Sequence, residues 1–234
     1  MEPSVGRIVA ASPAPAAGPP DRNPTATPQP TYATVAAEAG VTELTSAGPI
    51  PIGVSVVLPA GWEQASHAMY VRPAPKVDLS IGAWRLRQVN VFPCRWSAGI
   101  VADPSLLETA EGQAQALSSW WGQDPGMPPL SNSRIAPLAS KPLPATIGGY
   151  SAWYVVVLIP TELDFTGCDG GQLILWDSSN RDVRYSLGPS EVNRLWVVDV
   201  DRGPIVIDAG VSLAASAADK AELQAVIDSI AFEP

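Results

Sequence analysis

The sequence predicts an α+β fold in which a mostly antiparallel sheet is packed with two main helices. Three features predict this class. Residues 193–234 follow a strand, turn, strand, helix, strand pattern, residues 105–121 repeat apolar side chains at helical spacing, and residues 150–159 form a strand-like run with no polar face. Together with the hairpins between them, these elements predict a layered sandwich of about six to eight strands.

The closing unit is the clearest part of this pattern. Residues 195–200 and 205–209 are β-rich runs, and the turn-forming sequence Asp-Arg-Gly-Pro between them predicts a hairpin. Ser216 is the expected helix N-cap, with Asp219 at the third helical position. The apolar residues that follow at helical spacing predict a helix packed on the sheet; they are Leu223, Val226, Ile227 and Ile230.

Strands also dominate the rest of the folded part. Residues 49–58 predict a short strand, and a second extended segment includes residues 70–71. Residues 79–92 predict a longer strand, and the slip in its alternation at residues 82–83 predicts a β-bulge. The segment 172–187 predicts another hairpin.

The first helix is expected to begin at a capping box formed by Ser105 and Glu108. Apolar residues follow at steps of three and four, which predicts a helix of about fifteen residues. Residues 122–144 are rich in Pro, Ser and Asn and are typical of a long loop with one edge strand.

The composition changes sharply near residue 45. Residues 1–40 hold eight of the 25 prolines and no Leu, Phe or Trp, so this segment cannot bury enough apolar surface to offset its backbone entropy. We therefore expect a disordered Pro/Ala/Thr-rich linker over residues 1–45. Residues 46–234 contain all eight tryptophans and are expected to form one α+β globular domain.

The net charge of −9 excludes some classes of partner. Binding to nucleic acid needs clustered Lys and Arg, and the chain has only three lysines. Nucleic acid is therefore not an expected partner, and neither is an anionic membrane surface. The acidity is expected to serve solubility.

The chain shows no run of eighteen apolar residues, and its start lacks the apolar stretch of a signal peptide. A Pro/Ala/Thr-rich segment before a compact domain is nevertheless typical of a spacer behind a membrane anchor. We expect an extracytoplasmic protein, secreted or membrane-tethered, whose targeting segment was removed or lies upstream of this chain. A cytosolic protein with a disordered tail is the alternative.

The two cysteines lie at strand–loop borders, Cys94 at the end of a strand-like run and Cys168 in the loop of residues 164–171. Neither belongs to a C-x-x-C pair, and one histidine with two cysteines does not complete a zinc site without carboxylates. An even count in these positions fits one disulfide in an oxidising compartment, worth roughly 4 kcal/mol on the chain-entropy model. Two unrelated buried thiols are the alternative.

No catalytic motif is complete. The segment 149–153 (GYSAW) resembles the nucleophile elbow G-x-S-x-G, but it ends in Trp153, leads into a strand and follows the only histidine, His67. His67 alone cannot build a two- or three-histidine metal site. No P-loop or dinucleotide-binding motif is present. We expect no enzymatic activity and no cofactor.

Two pairs of aspartates suggest oxygen-rich sites. Asp199 and Asp201 are expected to share one face near a strand end, where such a pair can contribute to a Ca²⁺ or Mg²⁺ site. The spacing does not fit an EF-hand, and a solvated hairpin tip explains the pair without a metal. Asp164 and Asp169, on either side of Cys168, allow the same two interpretations.

Tryptophan is present in excess, with eight residues. A groove lined by aromatic faces binds sugars and other flat or amphipathic ligands, whereas the alternative is that most of the tryptophans fill the core. Trp120 and Trp121 are adjacent in the predicted helix and point about 100° apart, so both cannot face the core fully. We expect Trp120 and Trp121 to contact a ligand or partner.

Two short segments resemble a known superfamily. Residues 51–62 (PIGVSVVLPAGW) are similar to the opening strand and P-x-G-W turn of secreted α/β/α-sandwich domains, and residues 218–232 (ADKAELQAVIDSIAF) resemble their last helix and strand. These domains include the PsbP extrinsic photosystem proteins and the LpqN-type lipoproteins of actinobacteria. The resemblance implies the same PsbP-like fold over residues 50–234 and an envelope-associated adaptor or binding role. It carries over no functional residue, because both motifs are packing patterns.

The sequence therefore predicts a non-enzymatic extracytoplasmic binding or adaptor domain on a flexible tether. Its partner would be a protein or an amphipathic ligand held between sheet and helix. Two alternatives remain open: a hydrolase that acts on envelope glycans or lipids through carboxylates, and a purely structural domain of a larger assembly. A pair of carboxyl groups buried in a cleft with a raised pKa would favour the hydrolase.

Overall fold

The structure, a computed structural model, describes most of the chain in five ranges: residues 35–44, 52–73, 77–119, 138–178 and 182–233. The helices of these ranges are α1 (Ala110–Ser119) and α2 (Ala217–Asp228). Their strands are β1 (Val35–Ala36), β2 (Gly40–Glu43), β3 (Gly53–Leu58), β4 (Glu63–Ser66), β5 (Met69–Pro73), β6 (Val77–Trp84), β7 (Leu86–Val89), β8 (Leu138–Ala139), β9 (Leu143–Ile147), β10 (Tyr150–Leu158), β11 (Ile174–Ser178), β12 (Val183–Tyr185), β13 (Glu191–Val198), β14 (Ile205–Ser212) and β15 (Ala231–Glu233). Within these ranges, neither helix has the length and apolarity needed to cross a membrane.

A nine-stranded antiparallel sheet forms the centre of the domain, in the spatial order β1-β4-β5-β6-β14-β13-β10-β8, with β9 also paired to β10. Each face of this central sheet is covered by one helix and one three-stranded antiparallel sheet. The face under α1 and the β12-β11-β7 sheet is called the α1 face, and the face under α2 and the β15-β3-β2 sheet is called the α2 face. The predicted α+β sandwich is confirmed.

The strands at the middle of the central sheet are buried on both faces. Along β13, Leu195 and Val197 enter the core of the α1 face, while Trp196 and Val198 enter the core of the α2 face. The second half of β13 is continuously apolar because neither of its faces meets water. Burying each of the aliphatic side chains among these four stabilises the fold by about 1.5–3 kcal/mol.

The closing unit has the predicted form. β13 and β14 make an antiparallel hairpin, and α2 follows it. At the start of α2, the amide of Asp219 donates to Ser216 Oγ over 3.1 Å, and the amide of Ser216 donates to Asp219 Oδ2 over 3.1 Å. This reciprocal capping box satisfies two amides that have no partner within the helix. The helix then buries Leu223, Val226 and Ile227 against the α2 face.

The bulge predicted at Gly82 and Ala83 is wrong. The register against β14 runs unbroken through both residues, and the register against β5 is regular up to Gly82. The alternation changes because the chain leaves the central sheet at Arg85, so that β6 and β7 belong to different sheets. A glycine is required at position 82 for a steric reason instead, because a Cβ there would lie 2.5 Å from the carbonyl oxygen of Ala68.

The first helix also begins differently from the prediction. Residues Pro104–Glu108 form a 3-10 turn, which is capped by Asp103 through a 2.9 Å hydrogen bond from the amide of Ser105. Thr109 is extended (φ −126°, ψ 154°) and separates this turn from α1. Its Oγ1 then accepts the amide of Gly112 over 3.1 Å. The predicted capping box at Ser105 is therefore replaced by two successive caps, since Asp103 and Thr109 each take up free amides.

The folded domain begins before residue 46. β1 pairs with β4, and β2 pairs with β3 through four successive residues. Leu44, the residue after β2, is 1% exposed in the core of the α2 face. The predicted linker boundary at residue 45 is therefore too late, because a strand as short as β2 gives little periodic signal. The linker itself stays a prediction for residues 1–34, which lie outside the described ranges.

Candidate functional site

A cleft of about 460 Å³ opens on the α1 face, where the central sheet meets the start of α1. It is called the Trp153 cleft, after the partly exposed tryptophan on β10 that lines it. The side chains around it come from the first turn of α1, from β9 and β10 and from the residue after β13; they include Thr109, Glu111, Pro144, Ser151 and Asp199.

Strand register builds this cleft. Trp153 pairs with Pro144 of the edge strand β9, so both residues are directed to the same face of the sheet. β13 ends at Val198, and the amide of Asp199 still bonds to the carbonyl of Ser151 over 3.4 Å. Asp199 is thereby held beside the beginning of β10. The extended residue Thr109 separates the preceding 3-10 turn from α1, and the first turn of α1 lies beside the beginning of β10.

The walls of the Trp153 cleft combine one aromatic face with several oxygen atoms. Thr109 and Ser151 supply hydroxyl groups, and Glu111 and Asp199 supply carboxylates. Glu111 lies in the first turn of α1, where the helix dipole stabilises a negative charge. Among the described residues that line this cleft, none is a lysine or an arginine. The arrangement can stack a flat apolar group and bind hydroxyl or cationic groups beside it.

A second cleft of about 270 Å³ lies on the α2 face, beside the β9–β10 turn. Trp196 and Gln224 line it, but Trp196 is only 7% exposed. The guanidinium of Arg194 lies 5.1 Å from the centre of the Trp196 ring, and the ring of Tyr154 lies 5.0 Å from it. The aromatic face on this side is therefore already occupied by the protein's own side chains.

The predicted disulfide between Cys94 and Cys168 is confirmed, with the two Cα atoms 4.5 Å apart. It joins the loop after β7 to the loop before β11. Asp169 reinforces the same junction, because its carboxylate accepts hydrogen bonds from the amide of Ser97 (3.1 Å), the hydroxyl of Ser97 and Arg95 Nη1 (3.2 Å). The hydrogen bonds from Ser97 lower the pKa of Asp169. This carboxylate therefore has a structural role, because it holds the two loops together.

The other predicted site residues separate. Asp199 and Asp201 are both exposed at the β13–β14 turn, and only Asp199 lines the Trp153 cleft. In the part of the chain that the structure describes, no three His, Cys, Asp or Glu side chains gather as a metal site. Asp199 and Asp201 therefore have no third ligand of these types among the described residues, and the metal site stays a prediction. Asp164 bonds within its own loop, and Trp120 and Trp121 lie outside the described residues.

The segment that resembles a nucleophile elbow has a different shape. Gly148 and Gly149 form the β9–β10 turn with φ values of 53° and 83°, a left-handed conformation that favours glycine. Ser151 lies inside β10, in a regular strand pair with Thr146. His67 is an exposed residue of the β4–β5 turn. The strand predicted over residues 150–159 is confirmed as β10.

A buried ionic network lies between the central sheet and the β12-β11-β7 sheet. Arg184 of β12 is fully buried, and its Nε donates to Asp208 Oδ2 over 2.5 Å. Its Nη2 donates to Glu191 Oε1 over 2.8 Å and to Asn193 Oδ1 over 2.7 Å. Burial raises the pKa of Asp208, the charge of Glu191 adds to the rise, and Arg184 opposes it. One cation thus stands between two buried carboxyl groups.

Sequence reasoning missed both Trp153 as a site residue and this network. Trp153 sits in a run that is apolar throughout, so its pattern does not distinguish a cleft wall from the core. Arg184 and Asp208 are single charged residues within β-rich runs. An ionisable residue at an inward strand position is the signal that would have found the network.

Comparison with known proteins adds little. No protein-family model matches the sequence, and no curated protein matches it. Similar solved structures include LpqN, described as involved in cell envelope biogenesis of Mycobacterium tuberculosis, with a TM-score of 0.36 and 15% identity over 85% of this chain and 93% of LpqN. A Bacteroides thetaiotaomicron protein has a TM-score of 0.32 and 14% identity over 77% of this chain and 45% of its own. Membership of the LpqN-type family stays a prediction.

Proposed function

We propose that this protein is a non-enzymatic extracytoplasmic binding domain that holds an amphipathic ligand in the Trp153 cleft. The observation that carries this proposal is the composition of the cleft, where a partly exposed indole face lies beside hydroxyl and carboxylate groups. An aromatic wall binds the flat apolar part of a ligand, and the oxygen atoms beside it fix the polar part. A purely structural domain would need no such cleft.

The disulfide supports the extracytoplasmic part of the proposal. Disulfides persist in oxidising compartments and are rare in the reducing cytosol. Cys94 and Cys168 are both buried, and the hydrogen bonds to Asp169 hold the same two loops together. A linker over residues 1–34 would act as the tether between this domain and its attachment.

The position of the carboxyl groups supports a binding domain over a hydrolase. A carboxyl group that acts as a general acid needs a raised pKa and contact with the substrate. Asp208 has a raised pKa, but it is 1% exposed and bonded to Arg184 in the buried network. It therefore lies out of reach of any substrate in the Trp153 cleft.

Native mass spectrometry of the full chain recovered from its own cells tests this proposal. We expect a retained small-molecule mass on the wild-type protein and a gain of about 2 Da on reduction, because reducing one disulfide adds two hydrogens. The variant Trp153→Ala should lose the retained mass. Tyr154→Ala is the matched control, because Tyr154 is the next residue of β10 and is directed to the opposite face.

Two results would contradict the proposal. A wild-type protein without any retained mass would contradict the binding of a ligand. Retention of the mass by Trp153→Ala would show that the ligand binds outside the Trp153 cleft. Incubation of the wild-type protein with envelope glycans and lipids covers the alternative function. If the protein forms products and the double variant Glu111→Gln/Asp199→Asn does not, the protein is a hydrolase and the proposed binding function is wrong.

A further inference from the structure

Strands β10 and β13 place one tryptophan on each face of the central sheet. Trp153 pairs with Val197, and Trp196 pairs with Tyr154, so the two indoles lie one register step apart and on opposite faces. On the α2 face, Arg194 lies over the Trp196 ring at 5.1 Å. Trp196 therefore has an internal cation over its π face, an arrangement that attracts because the ring face is electron-rich.

Trp153 has no such partner among the described residues. No cation and no second aromatic ring of these residues lies over its indole, although the ring lines an open cleft. The negative charges of the Trp153 cleft are also uncompensated, since neither Glu111 nor Asp199 forms an ion pair with a described Lys or Arg. Gln115 Nε2 donates to Glu111 Oε1 over 3.3 Å and brings no charge.

These features rank ligands by charge. An anionic group would meet two carboxylates and gain no counter-charge, so it is repelled. A neutral flat group gains the contact with the indole alone. A cationic group gains both the attraction of the indole face and the attraction of the carboxylates. The N-terminal dipole of α1 does not reverse this order, because Glu111 already lies in its first turn.

We infer that the Trp153 cleft selects ligands that carry a positively charged nitrogen group, either an ammonium or a guanidinium. This inference rests on the proposed function and names the chemical class of its ligand. Trp153 supplies the π face, and Glu111 and Asp199 supply the counter-charge. Such groups occur on small amphipathic amines and on the Lys and Arg side chains of peptides, and the test separates these two sources.

The test is a titration of the full chain, followed by the indole N–H signal of Trp153 in two-dimensional NMR. The probes are N-acetyl-L-arginine amide and its citrulline counterpart, which has nearly the same shape but no charge. We expect the arginine probe to bind about fivefold more tightly, and we expect most of this advantage to disappear at roughly 0.5 M salt. A glycine-arginine-glycine peptide that binds more tightly than the single residue would identify a peptide as the source.

Matched variants locate the charge selection. Asp199→Asn should weaken binding of the arginine probe about threefold and leave the citrulline probe unchanged. Asp201→Asn is the control, because Asp201 is exposed in the same turn but does not line the cleft. Equal binding of both probes at Trp153 would overturn the inference and leave the proposed function standing. If neither probe shifts the Trp153 signal while native mass spectrometry shows a retained ligand, the inference alone fails; if both experiments are negative, the proposed function fails with it.

Discussion

The two faces of the central sheet are covered by the same kinds of element, yet charge is placed in different positions on them. On the α2 face, the core under α2 is apolar, and charged groups lie at its border. On the α1 face, Arg184 and its carboxyl partners lie inside the interface between two sheets. The comparison shows that the effect of an ionic group depends on its position relative to the core. At the border it adds a modest stabilisation, whereas inside the core it favours one placement of the element that carries it.

The border of the α2 face is fastened by Arg72 of β5. Its guanidinium bonds to Asp219 over 2.5 Å and to Glu222 over 3.2 Å, both on α2. Trp62 Nε1 also donates to Glu222 over 2.9 Å. The ion pairs are partly exposed and in contact with water, so each adds only a modest stabilisation. The apolar core beneath them stabilises this face.

On the α1 face, the network determines where the outer sheet lies. Arg184 meets Asp208, Glu191 and Asn193 in only one placement of β12 on the central sheet. Gly210 makes room for it, since a Cβ there would lie 2.8 Å from Glu191 Oε1. A displaced sheet would leave buried charges without partners, which costs several kcal/mol. The network therefore favours one register of the sheet more than it adds net stability.

Removing the buried cation should have the largest effect on stability and is the strongest test of the difference between the two faces. Arg184→Met keeps an apolar stem but leaves two buried carboxyl groups without their donor, so the free energy of unfolding should fall by about 4 kcal/mol. Urea unfolding followed by tryptophan fluorescence measures the change. Arg87→Met is the control, because Arg87 is half exposed on β7 and pairs with Asp177, and its loss should cost less than about 1 kcal/mol. A loss below that level for Arg184→Met as well would show that the network does not hold the outer sheet.

Removing apolar volume should destabilise the α2 face through the core under α2. Leu223 is 1% exposed at the centre of α2, and Leu223→Ala should lower the free energy of unfolding by about 3 kcal/mol, through lost burial and a residual cavity. Leu213→Ala is the matched control, since Leu213 is 49% exposed and should change stability by less than about 0.5 kcal/mol. Similar losses for both leucines, measured by the same urea unfolding, would contradict an apolar core as the source of stability on this face.

Local signals in the sequence were sufficient for the closing unit of the α2 face, although they missed β2 on the same face. The capping box at Ser216 and Asp219, the apolar stripe of α2 and the hairpin before it depend on residues close in the chain. The same holds for the disulfide, because two cysteines allow only one intramolecular pairing. Local chemistry of this kind is readable from one sequence.

The α1 face depends on contacts between residues that are distant in the chain. Arg184 meets Asp208 across 24 residues, and Glu111, which lines the cleft together with Trp153, precedes Trp153 by more than 40 residues. Whether an apolar strand residue lines a cleft depends on which element covers it. Hence the sequence predicted the elements around the Trp153 cleft, but it did not predict the cleft.

Proton binding should distinguish the two faces by opposite effects on stability. Asp208 has a folded-state pKa above its ordinary value of 3.8, mainly through burial, so its ionised form opposes folding. As the pH falls through that raised pKa, this penalty is relieved, and stability should rise until about pH 4. Asp219 has its pKa lowered to about 2, mainly by the hydrogen bond from Arg72. Its contribution is present above 3.8 and is lost as the pH falls toward 2.

The free energy of unfolding, measured in urea from about pH 8 to pH 2.5, should therefore pass through a maximum in the acidic range. Asp208→Asn should remove the rise on acidification, because a neutral amide has no proton to gain, while the Glu191 and Arg184 charges that face it remain. Asp219→Asn should make the fall below pH 4 less steep without removing it, because the pKa of Asp169 is lowered as well, and it should leave the rise intact. If Asp208→Asn shows the same rise as the wild-type protein, the proton is taken up elsewhere, and the two faces do not differ in the way that their charges indicate.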